Sequence, residues 1–202
     1  LVNKHSYGLK FPGYYFPITR SIKPKRGDVA VFIAPHTLCG VSPEEARPDL
    51  VDLPISESEG FISSFNDLQK TKCTDFGTKY VKRIIGVPGD NILIQGYDIY
   101  INGEKINSDL DTSNRLEYFY KEKIGPREFI ARRISTQKSD KFEWYIPENR
   151  YLVIGDNRDN SLDSRAWGYV SADHLVGTAD FIWMSWTSFS ELPNFKRNQR
   201  IK

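Results

Sequence analysis

The sequence predicts a mainly β protein built on an antiparallel β-sheet core, and three observations carry that expectation. Short apolar runs rich in β-formers recur between turn residues: Val29-Ala30-Val31-Phe32-Ile33, Ile92-Leu93-Ile94, Ile99-Tyr100-Ile101 and Tyr151-Leu152-Val153-Ile154. Aromatic residues make up 13% of the chain, a composition that suits sheets better than helices. Asn102-Gly103 follows the third of these runs and is a strong type I′ hairpin turn into Glu104-Lys105-Ile106.

The elements follow in order. Residues 1–22 mix aromatics with turn signals, as in Phe11-Pro12-Gly13, and read as an irregular segment over the core or as a membrane- or substrate-facing surface. Lys25-Arg26-Gly27-Asp28 predicts a tight turn into the strand at Val29. From His36 to Gly77 the chain turns polar, acidic and rich in Pro and Ser, which predicts a long, partly flexible excursion. Cys39 and Cys73 stand near its ends, either bridged or as two free thiols. Residues 107–149 alternate charged and aromatic residues, predicting a small, half-exposed antiparallel unit with loops at Asp109–Asn114 and Gln137–Asp140. Asp180–Trp186 reads as a last strand, apolar on both faces. The basic tail reads as a solvated terminus or a weak attraction for anionic lipid.

Composition narrows the function. With 202 residues and a net charge of +2, the chain carries no electrostatic case for nucleic acid. No run approaches the ~20 apolar residues of a membrane span. His5, His36 and His174 are dispersed, form no ligand pattern and are expected at the surface. The aspartate-rich loop fails as a calcium loop, since Ser164 stands where glycine and Val170 where glutamate is required. No metal or cofactor is expected.

Two stretches carry chemistry. After the buried run ending at Ile154 comes Gly155-Asp156-Asn157-Arg158-Asp159-Asn160-Ser161-Leu162-Asp163-Ser164-Arg165. Polar groups this dense beside a buried strand must satisfy one another, because an unpaired buried charge costs several kcal/mol. The stretch is a rigid internal salt-bridge loop, an active-site floor, or a solvated loop. The second stretch, Thr78–Asp90, alternates so that Tyr80, Lys82 and Ile84 share one face and Val81, Arg83 and Ile85 the other. A lysine held between Tyr80 and Ile84 on an inward face would be desolvated and could act as a general base. On a wet face it would only solubilise the strand.

These residues resemble the type I signal peptidases, the Ser/Lys peptidases that remove signal peptides from exported proteins. Lys25–Phe32 resembles the family's RGDVVVF strand, Tyr80–Asp90 its YIKRVIGLPGD segment, and Gly155–Arg165 its GDNRDNSxDSR segment, followed by Trp167-Gly168. Leu1-Val2-Asn3-Lys4 and Tyr7-Gly8 are similar to the start of the family's extracytoplasmic domain. The resemblance is weakest in 36–77 and 107–146.

The resemblance implies a catalytic β-core from 1–93 and 149–190, an inserted accessory β-subdomain at 94–148 and a basic tail at 191–202. It implies Lys82 as general base, Ser161 as the hydroxyl that orients it, and Asp163 with Arg165 as a stiffening ion pair. Asp156, Asn157 and Arg158 are further structural support. The nucleophile of the family sits in a Ser-Met-x-Pro-like motif that this sequence does not contain, and is expected upstream of Leu1 together with the membrane anchor. The chain as it stands is therefore expected to be inactive. Implied partners are preprotein signal peptides and the lipid surface of the bacterial inner (cytoplasmic) membrane, with the catalytic domain on its periplasmic side and no oligomer. Rival readings are a dedicated peptidase of a secretion or conjugation system, and a catalytically dead scaffold homologue.

Overall fold

The computed structural model describes residues 2–3, 23–73, 77–137, 139–179, 181–182 and 199–200. The aromatic segment beyond Asn3, most of the 180–186 strand and most of the basic tail lie outside the described residues.

In chain order the strands are β1 (Val2–Asn3), β2 (Val29–Ile33), β3 (Lys79–Gly86), β4 (Asn91–Gln95), β5 (Asp98–Ile101), β6 (Glu104–Lys105) and β7 (Asn107–Ser113). They continue with β8 (Tyr118–Ile124), β9 (Arg127–Arg133), β10 (Lys141–Tyr145), β11 (Arg150–Ile154), β12 (Val170–Ser171), β13 (Leu175–Ala179), β14 (Phe181–Ile182) and β15 (Gln199–Arg200). The helices are α1 (Pro43–Ala46), α2 (Ile55–Lys72) and α3 (Ser164–Trp167). A six-stranded sheet runs β1-β13-β2-β3-β11-β12, antiparallel at each pairing. The chain between its neighbours β3 and β11 forms a four-stranded sheet, β10-β4-β5-β6, and a three-stranded one, β7-β8-β9. The fold is mainly β, as the sequence predicts.

The central strands are apolar on both sides because the large sheet is covered on both. Ile84, Tyr151 and Val153 join Phe32, Phe61, Phe65 and Trp167 in one core. Their alternates Ile85, Leu152 and Ile154 join Ile92, Ile94, Ile99, Phe129 and Trp144 in another. Period-2 alternation thus sends successive residues of one strand into different cores. The turn into β2 closes through Asp28 N–H to the Lys25 carbonyl at 3.1 Å, with Gly27 at φ +85°. Asn102 and Gly103, both at positive φ, make the expected hairpin turn.

Three expectations need correction. The 36–77 segment is not a flexible excursion: it contains the 18-residue helix α2, which buries Phe61 and Phe65 one turn apart on one face. Cys39 and Cys73 are bridged, closing the segment's neck, and Thr78 N–H donates to Thr37 Oγ1 at 2.9 Å beside it. Second, Asp109–Asn114 is not a loop but mostly strand β7, and the reversal comes at Asn114, whose side chain accepts from Leu116 and Glu117 N–H. A hydrophobic pattern could not reveal β7, because most of it is exposed. Third, His36 is not at the surface. It is fully buried, stacked on Trp167 and edge-on to Tyr80. No helix among the described residues is long and apolar enough to cross a membrane.

Candidate active site

Lys82 stands near the middle of β3, and the chain leaving β11 at Ile154 passes beside it. Gly155 lets the two approach: a Cβ there would collide with Ser161 Oγ and come within 3.3 Å of Lys82 Nζ. Lys82 Nζ donates to Ser161 Oγ at 2.7 Å. The two side chains line a cavity of about 250 Å³ with Val29, Val81, Arg83, Asn157 and Asn160. Burial pushes the Lys82 amine below its ordinary value; Asp163 and Asp156 pull it back up, while Arg165 pushes it down. An amine held toward its neutral form, with one hydrogen bond fixing its direction, can accept a proton from a hydroxyl placed in the cavity.

The loop that brings Ser161 there is held by paired charges. Asp163 is fully buried, accepts from Gly155 N–H at 3.0 Å and caps α3 at Arg165 N–H. Arg165 grips both Asp163 carboxylate oxygens at 2.8 Å and reaches back to the Arg158 carbonyl at 2.7 Å. Such two-pronged contacts fix direction as well as distance. Asp156 is held the same way by Arg83 at 2.9 and 2.7 Å. Asp159 accepts from Tyr97 OH and from Ile134 N–H, each at 2.8 Å. Asn157 bridges in parallel to Arg132 at the start of the loop, and its Oδ1 is buried with no hydrogen-bond partner among the described residues.

The structure therefore gathers Lys82, Ser161, Asp156, Asn157, Asp163 and Arg165 in one place. Arg158 points away from the cavity, into a buried pair with Glu122. Two contributors carry no role in the sequence reading. Arg83 is buried on the opposite face from Lys82, stacked 3.8 Å over the Phe129 ring while it holds Asp156 and the Gly27 carbonyl. Its signal was its place next to Lys82 on a strand whose other face is also covered. Glu122 had no local signal, since both its charge partners are distant in sequence.

A larger groove of about 670 Å³ lies between Lys25–Arg26 and the β6 hairpin. The described residues lining it include neither a serine nor a lysine held on a hydroxyl, so volume alone does not locate the chemistry here.

The family model for signal peptidase, peptidase S26, matches residues 1–186, and the chain belongs to that family. A signal peptidase I of Pseudomonas fluorescens is 31% identical over 222 residues, covering 100% of this chain and 64% of that protein. Those of Pseudomonas aeruginosa and Haemophilus influenzae are 30% and 31% identical, covering 98% and 92% of this chain and 63% and 58% of theirs. The chain thus spans somewhat under two thirds of the length of these relatives. A crystal structure of a signal peptidase I from Enterococcus faecalis aligns with 78% of this chain at 23% identity and a TM-score of 0.38, a likeness too slight to carry weight.

Proposed function

We propose that this chain is the catalytic part of a serine endopeptidase of the signal peptidase I type, which removes N-terminal signal peptides from exported preproteins. The observation that carries the reading is the 2.7 Å hydrogen bond from half-buried Lys82 Nζ to Ser161 Oγ inside the cavity. Neutral Lys82 takes the proton of an attacking serine, which the family resemblance puts upstream of Leu1. The serine oxygen adds to the scissile carbonyl, and the lysine ammonium passes its proton to the departing amine. Water then enters and adds to the acyl carbon as Lys82 takes its proton; the lysine ammonium returns that proton to the departing serine oxygen, and the acyl group leaves as a carboxylic acid that ionises in water. Ser161 aims the amine; Asp163 with Arg165, and Asp156 with Arg83, keep Ser161 and β3 in register. Arg158 and Asn157 support the same loop. The family's substrates present short side chains, typically Ala, before the cut.

On this reading residues 94–148 form an accessory unit inserted into a core made from 1–93 and 149–190; direct pairing of β3 with β11 supports it. The protein acts as a monomer at the lipid surface of the bacterial cytoplasmic membrane, with this part on the extracytoplasmic side. The Cys39–Cys73 bridge fits such an oxidising compartment.

The test is preprotein cleavage by a form that includes the upstream serine. Lys82→Ala should reduce the rate by about a thousandfold or more with melting unchanged, and Ser161→Ala by a smaller factor, since it only misdirects the base. Wild-type rates in Lys82→Ala would refute the reading.

A further inference from the structure

Glu122 is a carboxylate with no exposure at all, on strand β8 and outside every motif that marks the site. An isolated buried carboxylate costs several kcal/mol, so the position stands only because two guanidinium groups meet it. Arg133 Nη2 donates to its Oε1 at 2.7 Å, and Arg158 Nη2 donates to its Oε2. Ser108 Oγ lies at 3.4 Å. Arg133 belongs to the same three-stranded sheet and lies 3.8 Å over the Tyr120 ring, so that half of the triad is local. Arg158 belongs to the site loop. The triad therefore ties the loop to a different sheet.

Buried ion triads are weak stabilisers, because well-packed apolar residues often do as well. What a triad supplies is a fixed geometry, and here it is passed on. The backbone of Arg132 brackets the loop, donating to the Asp156 carbonyl at 2.8 Å and accepting from Arg158 N–H at 2.9 Å. The Arg158 carbonyl accepts from Arg165, which grips Asp163, which accepts from Gly155 N–H. Gly155 is the residue against which Ser161 and Lys82 meet.

We propose that Glu122 is a positioning residue of the Lys82–Ser161 pair, fixing through Arg158 the height of the 155–165 loop at which the serine hydroxyl receives the lysine amine. The proposal rests on the Ser/Lys reading. The charged groups that act on Lys82 are Asp163, Arg165 and Asp156, and none of them is a hydrogen-bond partner of Glu122. Glu122 thus reaches Lys82 by geometry.

The test is the titration of Lys82 in the present chain, labelled with 13C at lysine Cε and assigned through Lys82→Arg. It is run on wild type, on Glu122→Gln and on Glu128→Gln, a half-exposed carboxylate on the next strand paired with Lys121. Wild-type Lys82 should titrate below an ordinary lysine. Glu122→Gln should raise that midpoint by roughly one pH unit, because a loosened loop admits water to the amine. Glu128→Gln should leave it in place. In the form that carries the nucleophile, Glu122→Gln should lower kcat and move the pH profile to higher pH while KM holds. If Glu122→Gln does not fold, Glu122→Asp keeps the charge, draws the carboxylate back by one methylene and is read by the same criterion. An unshifted Lys82 midpoint in a folded Glu122 variant overturns the proposal alone. An ordinary midpoint in wild type overturns the Ser/Lys reading beneath it.

Discussion

On one face of the large sheet, His36 lies neutral against Trp167 and Tyr80, with helix α2 and the Cys39–Cys73 bridge behind it. On the other, Arg83 carries its charge to Asp156, and Arg158 and Arg133 share Glu122. Both faces bury polar groups, by opposite means. The helical side removes charge and relies on aromatic packing and a covalent link, which tolerate small displacements. The other side keeps its charges and satisfies them pairwise, which fixes direction to within the width of a hydrogen bond. Lys82 leaves β3 on the helical side, the face of Tyr80 and Ile84, and the ion pairs reach its contact with Ser161 through the 155–165 loop. Precision at the site thus comes from ion pairs, and robustness of the domain from the helical cover.

That contrast can be broken by substitution. The largest effect is expected at Asp163, where removing one partner strands Arg165 and leaves Gly155 N–H unsatisfied. Asp163→Ala should lower the unfolding free energy by roughly 4 kcal/mol in urea titrations, and activity should fall with it. Unchanged melting and activity would make the pair decorative. Next, replacing Cys39 and Cys73, 34 residues apart, by serine should cost nearly as much, about 3.8 kcal/mol, because the bridge restrains a long loop in the unfolded chain. In a form that carries the nucleophile, cleavage by the remaining folded protein should hold, since the bridge belongs to the robust side. A loss of specific activity larger than the folded fraction explains would merge the two sides into one.

The smallest effect separates the sides by pH. Burial, with Lys72 adding to it, holds His36 at about 4 against an ordinary 6.5. Between those values the unfolded chain binds a proton that the native protein does not, so stability is full above 6.5 and falls as pH drops toward 4. The loss should reach roughly 2 kcal/mol by pH 4.5, and His36→Gln should flatten it. A wild-type slope surviving in His36→Gln would move the acid sensitivity to the carboxylates of the other face.

Much of this was legible in the sequence, for physical reasons. Val153 and Ile84 alternate with Leu152 and Ile85, so strands apolar on both faces announce a sheet covered twice. The crowding of Asp156, Arg158, Asp163 and Arg165 after a buried run announced mutual pairing, which holds for Asp163 with Arg165 alone: Asp156 goes to Arg83 and Arg158 to Glu122, both outside the stretch. Helix α2 stayed hidden because only a thin stripe points inward, while Ser56, Glu57, Ser58, Glu59 and Gly60 read as loop. The spacing of Phe61, Phe65 and Leu68 was the signal that could have found it. His36 was unreadable because its burial comes from Trp167 and Tyr80, far along the chain. Glu122 was unreadable for the same reason: no local pattern tells a strand glutamate facing water from one facing two arginines.

The most direct test is the pH dependence of preprotein cleavage by a form that carries the serine nucleophile the proposed mechanism requires. If Lys82 acts as a neutral base, kcat should rise with pH along a limb whose midpoint lies below an ordinary lysine's ~10.4, tracking the directly measured titration of Lys82. A limb at the ordinary lysine value, or one that does not follow Lys82 when its surroundings are altered, would contradict the account.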